Sequence, residues 1–519
     1  MLTPVPHGHI SKRLKRSLVV ILGFGLIMLG LLTATIALVN YNIEQTSEAS
    51  KKKAIENVNI LLQSQQKFSL PEGTSYTPST LDDKTLVTVI AKNQPSVVRI
   101  ATLYCADITL TSAYAIANFA DTCTGHVGSG SFISSDGYIA TSGHVISVKP
   151  AQALAEALSG STEDNYTRYL TYLVYSRLMT QAAANTVKAG LVAGDAAAKI
   201  TFINTADLLP TTQINSDNAT TEYAVQLSKE PISLQDTTGR SKLAYTDTVI
   251  KATYVDANYD QVSSDRGLTT GQFASSDVAL LKTVGSFPYI TLGSIDGLKK
   301  GDQLTAIGYP AQIDGVDSKL TETVPSITQG VVTDIFFDSV ARERKLISTT
   351  VPIGRGNSGG PALSDAGVQV GINTYSAIEC PDLNCYGDGQ VRDVADLKVL
   401  IAKNDITLKT GGIIDDWSNA LTSYTKGNYA DALTNLSKVQ DEYPANYLVS
   451  SLLSVATQQV GTATDTSTSY QAQEFVAISL AALIALIAVV TIVMIVLIIA
   501  FTIHFHVKAW RTDPPSESA

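Results

Sequence analysis

Two long uncharged apolar segments lie near the ends of the sequence, and they restrict the fold more than any other feature. The first covers residues 18–39 and the second covers residues 475–503. An α-helix rises about 1.5 Å per residue, so the first segment reaches about 33 Å, enough to cross a hydrocarbon core of about 30 Å. Each segment is therefore predicted to be a transmembrane helix, which leaves the residues between them on one side of the membrane.

The charges that flank these segments predict which side this is. Basic residues next to a transmembrane helix stay in the cytoplasm. They precede the first segment and follow the second, at Lys12, Arg13, Lys15, Arg16, Lys508 and Arg511. Both termini, residues 1–17 and 504–519, are therefore expected in the cytoplasm, and the middle of the chain outside it. A cleaved signal peptide is the alternative for the first segment, although its length favours a retained anchor.

Composition excludes several classes of protein. The net charge is −10, whereas a nucleic-acid-binding protein usually presents a basic face. Hydrophobic residues make up 45% of the chain and charged residues 16%, a balance typical of a folded protein with membrane segments rather than a disordered one. The sequence has no glycine-rich phosphate loop and no metal-ligand spacing, so neither a cofactor nor a metal is predicted.

All four cysteines lie in the predicted extracytoplasmic part, at Cys105, Cys123, Cys380 and Cys385. An even number of cysteines in an oxidising compartment indicates two disulfides, and three pairings are open. Cys105 ends one predicted strand and Cys123 shortly precedes the next, so a bridge between them could close the base of a loop. Cys380 and Cys385 bracket a short loop, and we expect them to form the second pair.

The middle of the chain divides into several parts. Residues 40–82 have a helical pattern followed by a proline-containing polar stretch, which indicates a stalk and a linker. Residues 83–412 contain many short β-like stretches separated by turn residues, which indicates a barrel or a sandwich. An Ala- and Leu-rich segment, residues 150–206, interrupts this pattern and is predicted to be an insertion of two or three helices. Residues 393–402 are predicted to form a closing helix.

Residues 413–460 carry two helical apolar faces, separated by Gly427 and ended by Pro444. The pattern is similar to one tetratricopeptide-type helical hairpin, and an unrelated hairpin between a domain and the membrane is the alternative. A single repeat cannot bury its apolar face alone, so it must pack on something, and a protein partner is one candidate. Residues 461–474 are predicted to be a linker.

The segment Gly356–Pro361, with the sequence GNSGGP, has the residue types that a nucleophilic serine requires. Such a serine needs an exposed hydroxyl and backbone N–H groups directed at the developing oxyanion. The glycine two positions before Ser358 lets the backbone curl so that its N–H and that of Ser358 converge. The glycines after Ser358 leave room for a substrate backbone. A glycine-rich turn without a catalytic role is the alternative.

A nucleophilic serine also needs a base and a carboxylate that orients the base. Between the two apolar segments the only histidines are His126 and His144. His144 follows a predicted strand, whereas His126 lies in a polar stretch and is expected to be exposed to solvent. Asp277 leads directly into an apolar strand. We therefore expect His144, Asp277 and Ser358 to act together, the alternatives being a structural histidine and an ordinary turn aspartate.

These motifs together resemble the trypsin-like serine proteases of the HtrA/Deg kind. The matching stretches are residues 128–144, 276–282, 304–310, 327–332, 356–361 and 367–373. The resemblance covers about residues 83–412, interrupted by the insertion. It implies a mainly β, chymotrypsin-like fold of two six-stranded barrels with the active site between them. It also implies that an oxyanion is held by the backbone at Gly356, Asn357 and Ser358.

The resemblance also suggests a substrate pocket. The residues that lead into the nucleophile would form its base, and the strand after the nucleophile would form its wall. These candidates are Pro352, Ile353, Ile372, Asn373 and Thr374. None of them is charged, and an unpaired cation buried among them would be strongly unfavourable. We therefore expect a preference for small or medium apolar side chains just before the cleaved bond.

The chain departs from the family in two places. HtrA/Deg proteins often carry PDZ domains after the protease, and here the helical hairpin occupies that position. The insertion also places His144 and Asp277 much farther apart in sequence than is usual, which bears on substrate access. Family relatives are often trimers, which leaves a homo-oligomer open.

The sequence therefore predicts a membrane-anchored serine endopeptidase that acts on polypeptides outside the cytoplasm, in protein quality control or regulated proteolysis. The alternative is a catalytically silent, membrane-anchored binding or sensor module, which would not need a full triad with its glycines. A zinc hydrolase is disfavoured because the middle of the chain has too few histidines and cysteines at ligand spacing.

Overall fold

The structure is a computed structural model of the chain. It describes residues 83–209, 212–237, 240–260, 275–309, 323–337, 345–376, 387–462, 464–467, 481–483, 485–490, 492–497 and 499–500, together with isolated positions in the terminal segments. The chain forms two compact units. One consists of residues 55–422 and 432–455, and the other consists of residues 1–54, 423–431 and 456–519.

Two closed antiparallel barrels dominate the larger unit. The strands of the first barrel are β1 (Val97–Thr111), β2 (Ile116–Phe132), β3 (Tyr138–Thr141), β4 (Gln213–Gln226), β7 (Val249–Asn258) and β8 (Val278–Lys282). Between β4 and β7 in sequence, β5 (Leu234–Thr237) and β6 (Arg240–Leu243) form a separate two-stranded sheet. The strands of the second barrel are β9 (Gln303–Gly308), β10 (Ser326–Phe337), β11 (Lys345–Ile353), β12 (Pro361–Leu363), β13 (Gln369–Ser376) and β14 (Gly387–Asp393). The predicted double barrel with six strands in each barrel is confirmed.

A cluster of buried apolar side chains links the two barrels and the helix Val394–Lys403. This helix forms where the sequence predicted a closing helix, at residues 393–402. Ile372 from β13 packs in this cluster with Val278 and Leu280 from β8 and with Leu397 from the helix. The Asp393 side chain accepts a hydrogen bond from the Ala395 N–H at 2.9 Å and so caps the helix. Burial of these side chains joins the two barrels around the ends of β8 and β13.

Helices fill the predicted insertion, but their number was predicted too low. There are four α-helices, Pro150–Ser159, Glu163–Tyr175, Gln181–Val192 and Ala196–Asn204, and a short 3-10 turn follows at Thr205–Leu208. The reason is that short polar or glycine-containing stretches interrupt the apolar pattern. The Thr180 and Asp195 side chains each cap a new helix by accepting a hydrogen bond from its first turn.

These helices cover the far ends of β1 and β2, which the sequence did not predict to be strands. The two strands continue as a long hairpin to Thr111 and Ile116. Ile108 and Leu110 of β1 and Phe119 of β2 pack with Leu154 and Tyr169 of the helices in one buried cluster. The extended hairpin and the four helices therefore share a hydrophobic core.

His126 lies on β2 within this region, and its prediction as a solvent-exposed side chain was wrong. Its side chain is 18% exposed, and its Nε2 lies 2.7 Å from a carboxylate oxygen of Glu156 on the helix Pro150–Ser159. The same oxygen accepts a hydrogen bond from the Thr124 hydroxyl at 2.9 Å. The helix that covers β2 shields most of the His126 side chain from solvent and supplies its partner.

Three helices follow the barrels and the helix Val394–Lys403, at Ile413–Thr425, Tyr429–Glu442 and Tyr447–Gln459. The first two form where the sequence predicted a helical hairpin, whereas its tetratricopeptide-like character stays a prediction. Trp417 is fully buried, and its Nε1–H donates to the Ala91 carbonyl at 3.0 Å, so the first helix contacts the helix Asp83–Asn93. The predicted requirement for a packing surface is met within the chain itself.

The smaller unit contains an ordered turn at Asp465. Its carboxylate accepts hydrogen bonds from the backbone N–H groups of Tyr429 at 3.2 Å and Gly461 at 3.0 Å. The Ser467 hydroxyl accepts from the Ala430 N–H at 3.0 Å. Part of the predicted linker 461–474 is therefore held against the start of a helix.

Within the described residues, every helix is too short or too polar to cross a bilayer. Within the predicted span at 475–503, the described stretches 481–483, 485–490, 492–497 and 499–500 are helical. The predicted span at 18–39 lies largely outside the described residues. So do the predicted stalk and linker at 40–82, apart from Lys52, and the predicted loop with Cys380 and Cys385.

Cys105 and Cys123 form a disulfide, as predicted, and they face each other in the register of β1 and β2. The bridge lies within a continuous hairpin rather than at the base of a loop, because both strands extend beyond it. We expect Cys105→Ala/Cys123→Ala to lower the free energy of unfolding by about 2–4 kcal/mol, since the bridge restricts the unfolded chain. Urea denaturation of both proteins checks this value.

Non-reducing peptide mapping of the same samples supplies the control. A peptide that joins Cys105 to Cys123 is expected, together with the still untested pair Cys380 and Cys385. Mapping that joins Cys105 or Cys123 to either of the other cysteines would contradict the pairing.

Candidate active site

His144 and Asp277 lie side by side because the strands that carry them are neighbours. β3 pairs with β8 in a register that places Thr141 opposite Ala279. His144 follows β3 in the short helix Gly143–Ile146, and Asp277 immediately precedes β8. The His144 Nδ1 lies 2.8 Å from Asp277 Oδ2, and the His144 backbone N–H donates to Asp277 Oδ1 at 2.9 Å.

The surroundings of this pair favour its charged form. The Asp277 side chain is fully buried, whereas that of His144 is 29% exposed. Burial alone would raise the pKa of Asp277, but the charge of His144 and the hydrogen bonds to the carboxylate outweigh it and hold that pKa below its usual value. Burial likewise opposes the imidazolium, yet the Asp277 carboxylate raises the pKa of His144 above its usual value.

Thr374 links this pair to Ser358. Its hydroxyl donates a hydrogen bond to Asp277 Oδ2, and its carbonyl accepts one from the Ser358 Oγ–H at 3.2 Å. Thr374 belongs to β13 of the second barrel, whereas Asp277 belongs to the first. The sequence suggested Thr374 only as a pocket residue, and nothing in its local pattern indicates that it contacts the carboxylate.

The loop of residues 354–360 places Ser358 between the two barrels. The Ser358 carbonyl accepts a hydrogen bond from the Ser129 N–H at 2.8 Å, and the Gly359 N–H donates to the Asn373 carbonyl at 2.8 Å. Gly359 has a φ of +87°, and a Cβ added there would lie 2.1 Å from the Ser129 carbonyl oxygen. Glycine is therefore required at this position by both conformation and space.

The three backbone N–H groups suggested to bind an oxyanion differ in whether they already donate a hydrogen bond. The Asn357 N–H donates to the Gly354 carbonyl at 3.1 Å and forms a turn within the loop. Within the described residues, the N–H groups of Gly356 and Ser358 donate to no other group. These two remain available for a ligand, and Asn357 instead shapes the loop.

All five suggested pocket residues are buried. Ile353 packs in the core of the second barrel, and Ile372 packs in the cluster between the barrels. The Asn373 side chain is buried and donates to the Pro361 carbonyl at 3.4 Å. Pro352 is buried at the end of β11, where it faces Asp388 in the register of β14. The two isoleucines and Asn373 therefore support the strands that carry the loop of residues 354–360, and the pocket itself stays a prediction.

Comparisons with known proteins overlap part of this site, since the match of the family model includes Asp277 and Ser358 but not His144. The family model for the trypsin-like peptidase domain matches residues 235–372. A probable periplasmic serine endoprotease described as DegP-like, from Pseudomonas fluorescens, is 42% identical over 102 residues, or 19% of each chain. One from Halomonas elongata, described in the same words, is 34% identical over 110 residues, or 20% of each chain.

The chain thus matches about a fifth of the length of these curated relatives. Among solved structures, an HtrA-type protease, AlgW, with a decapeptide shares 16% identity at a TM-score of 0.30, over 61% of this chain and 66% of that one. Residues 235–372 therefore match the model of the trypsin-like peptidase domain, and part of the chain is similar in sequence to serine endoproteases described as DegP-like.

Proposed function

We propose that this chain is a serine endopeptidase that cleaves polypeptides through an acyl-enzyme. The observation that carries the proposal is the hydrogen-bonded group in which Thr374 links Ser358 to Asp277 and Asp277 binds His144. This arrangement joins a hydroxyl, an imidazole and a buried carboxylate, which are the parts of a serine nucleophile with its base.

In the proposed reaction, Ser358 Oγ forms a bond to the scissile carbonyl carbon while His144 takes the hydroxyl proton. Asp277 holds the imidazole with Nδ1–H directed at the carboxylate and stabilises the imidazolium that forms. The N–H groups of Gly356 and Ser358 hold the oxyanion of the tetrahedral intermediate. His144 then gives its proton to the leaving amine, and water hydrolyses the acyl-enzyme by the same steps with the same base.

The proposed location is outside the cytoplasm, with the predicted spans 18–39 and 475–503 in the membrane. The curated relatives are described as periplasmic, and a disulfide such as Cys105–Cys123 persists in oxidising compartments. The proposed roles are protein quality control or regulated proteolysis. A protein partner at the helical hairpin, a homo-oligomer and an apolar preference before the cleaved bond belong to the same proposal.

The first prediction from this proposal concerns His144 and Ser358. Ser358→Ala and His144→Ala are each expected to lower kcat for casein or a peptide by at least about 10⁴-fold, because the residues act as a unit. Labelling by a fluorophosphonate probe should disappear with Ser358→Ala. The matched control is His126→Gln, since His126 contacts Glu156 and not the site. Turnover by Ser358→Ala at a tenth of the wild-type rate or more would overturn the assignment.

The second prediction is a pH dependence. Only neutral His144 can accept a proton, and its pKa is raised, so kcat/KM should fall as pH decreases through a midpoint above about 6.5, the ordinary value for histidine. A profile from pH 4 to 9 measures the midpoint, and His126→Gln should leave it unchanged. A midpoint below the ordinary value would show that Asp277 does not control the base.

The third prediction concerns topology. Tags placed before residue 18 and after residue 503 should both resist protease added to intact spheroplasts, because both termini are expected in the cytoplasm. The domain between them should be degraded in the same samples, and detergent lysis should expose both tags. Digestion of the C-terminal tag in intact spheroplasts would rule out the two-span arrangement.

A further inference from the structure

Ser129 contacts the nucleophile loop at both residues whose N–H groups are proposed to hold the oxyanion. Its Oγ–H donates to the Gly356 carbonyl at 2.7 Å, and its backbone N–H donates to the Ser358 carbonyl at 2.8 Å. The residue is fully buried on β2, and its own carbonyl accepts from the Thr141 hydroxyl at 2.7 Å. One residue of the first barrel thus binds two peptide groups of the nucleophile loop, one through its side chain and one through its backbone.

The Ser129 hydroxyl has a second partner, which places it in a chain of contacts. The Tyr309 N–H donates to Ser129 Oγ at 2.7 Å, so the hydroxyl accepts from Tyr309 and donates to Gly356. The strand end at this point touches the loop directly, because a Cβ added to Gly308 would lie 3.1 Å from the Asn357 Cα. Movement of residues 308–309 would therefore be transmitted to the nucleophile loop.

The segment of residues 94–97 contacts both Tyr309 and the last helix. The Tyr309 side chain packs with Val97 in a buried cluster, and the nearby Gln94 donates from Nε2 to the Tyr447 hydroxyl at 2.8 Å. Burial and, to a smaller extent, the neighbouring Tyr309 raise the pKa of both Tyr443 and Tyr447. The segment 94–97 thus joins the start of the last helix to Tyr309, whose backbone N–H donates to Ser129.

We propose that Ser129 is a positioning residue for the nucleophile loop and that Tyr309 connects it to the C-terminal helices. This inference rests on the proposed function. Donors that stabilise an oxyanion act by being held in place before the reaction, and a displacement of about 1 Å can cost about 10²-fold in rate. Loss of the Ser129 hydroxyl leaves the Gly356 carbonyl and the Tyr309 N–H without their partner, so the loop loses its fixed position.

The test compares Ser129→Ala with Ser131→Ala in the full chain. Ser131 is also fully buried on β2, but its hydroxyl donates to Gln369 Oε1 at 2.8 Å and not to the loop. We expect Ser129→Ala to lower kcat, normalised to sites titrated by a fluorophosphonate, by about 10- to 100-fold with KM within about twofold. Ser131→Ala should lose thermal stability without that loss of kcat. Should Ser129→Ala fail to fold, Ser129→Cys keeps a similar size with a weaker donor.

A second measurement does not depend on activity. Amide hydrogen exchange of residues 355–360 should accelerate in Ser129→Ala and in Tyr309→Leu and stay at the wild-type rate in Ser131→Ala. If kcat or exchange of Ser129→Ala equals that of Ser131→Ala, the positioning role is wrong. If Tyr309→Leu changes neither quantity, the connection to the helices is wrong. A wild-type protein that neither cleaves nor labels would instead overturn the proposed function, and the exchange data would still decide the position of the loop.

Discussion

The buried carboxylate of Asp277 is the constraint on which the rest of this site depends. A carboxylate without partners in a protein interior is strongly unfavourable, so each of its oxygens must accept hydrogen bonds. One oxygen accepts from the His144 backbone, and the other from the His144 ring and the Thr374 hydroxyl. These donors belong to both barrels, so satisfying one charge requires the barrels to dock in a single arrangement.

The same ion pair places stability and activity in different pH ranges. The lowered pKa of Asp277 means that its contribution to stability is present above the unfolded value of about 3.9 and is lost as pH falls through the folded value. The raised pKa of His144 means that its contribution is full below about 6.5 and is lost as pH rises through the folded value. The pair therefore stabilises the fold most between these values, whereas the proposed reaction needs the neutral imidazole found at higher pH.

The double barrel could be predicted, and the three candidate site residues could be proposed, because their sequence signals are local. A serine flanked by glycines, a histidine after a strand and an aspartate before one each occupy a few adjacent positions. The long hairpin could not be predicted in the same way. A bulge at Ala106 and Ile108 breaks the alternation of β1, and the helices that bury its far end come later in the chain. His126 was misplaced for the same reason, since Glu156 becomes its neighbour only in the folded protein.

The roles of Thr374 and Ser129 could not be predicted from sequence patterns either, but for a different reason. Serine and threonine are common in this chain, and a hydroxyl gains a role only when the fold brings it to a buried acceptor. The Thr374 hydroxyl meets a carboxylate from the other barrel, and the Ser129 hydroxyl meets a carbonyl of the nucleophile loop. Both contacts are fixed by how the barrels dock, which in turn follows from the partners of Asp277.

The insertion can be long without separating His144 from Asp277 because the strands that carry them pair directly. The two residues are 133 positions apart in sequence, yet β3 and β8 are adjacent in the barrel. The entropy of closing a loop grows only slowly with its length, and the four helices offset it by burying apolar surface against β1 and β2. β2 runs without interruption from this helical region to Ser129 and Phe132. Packing of the insertion therefore stabilises the same strand that holds the nucleophile loop.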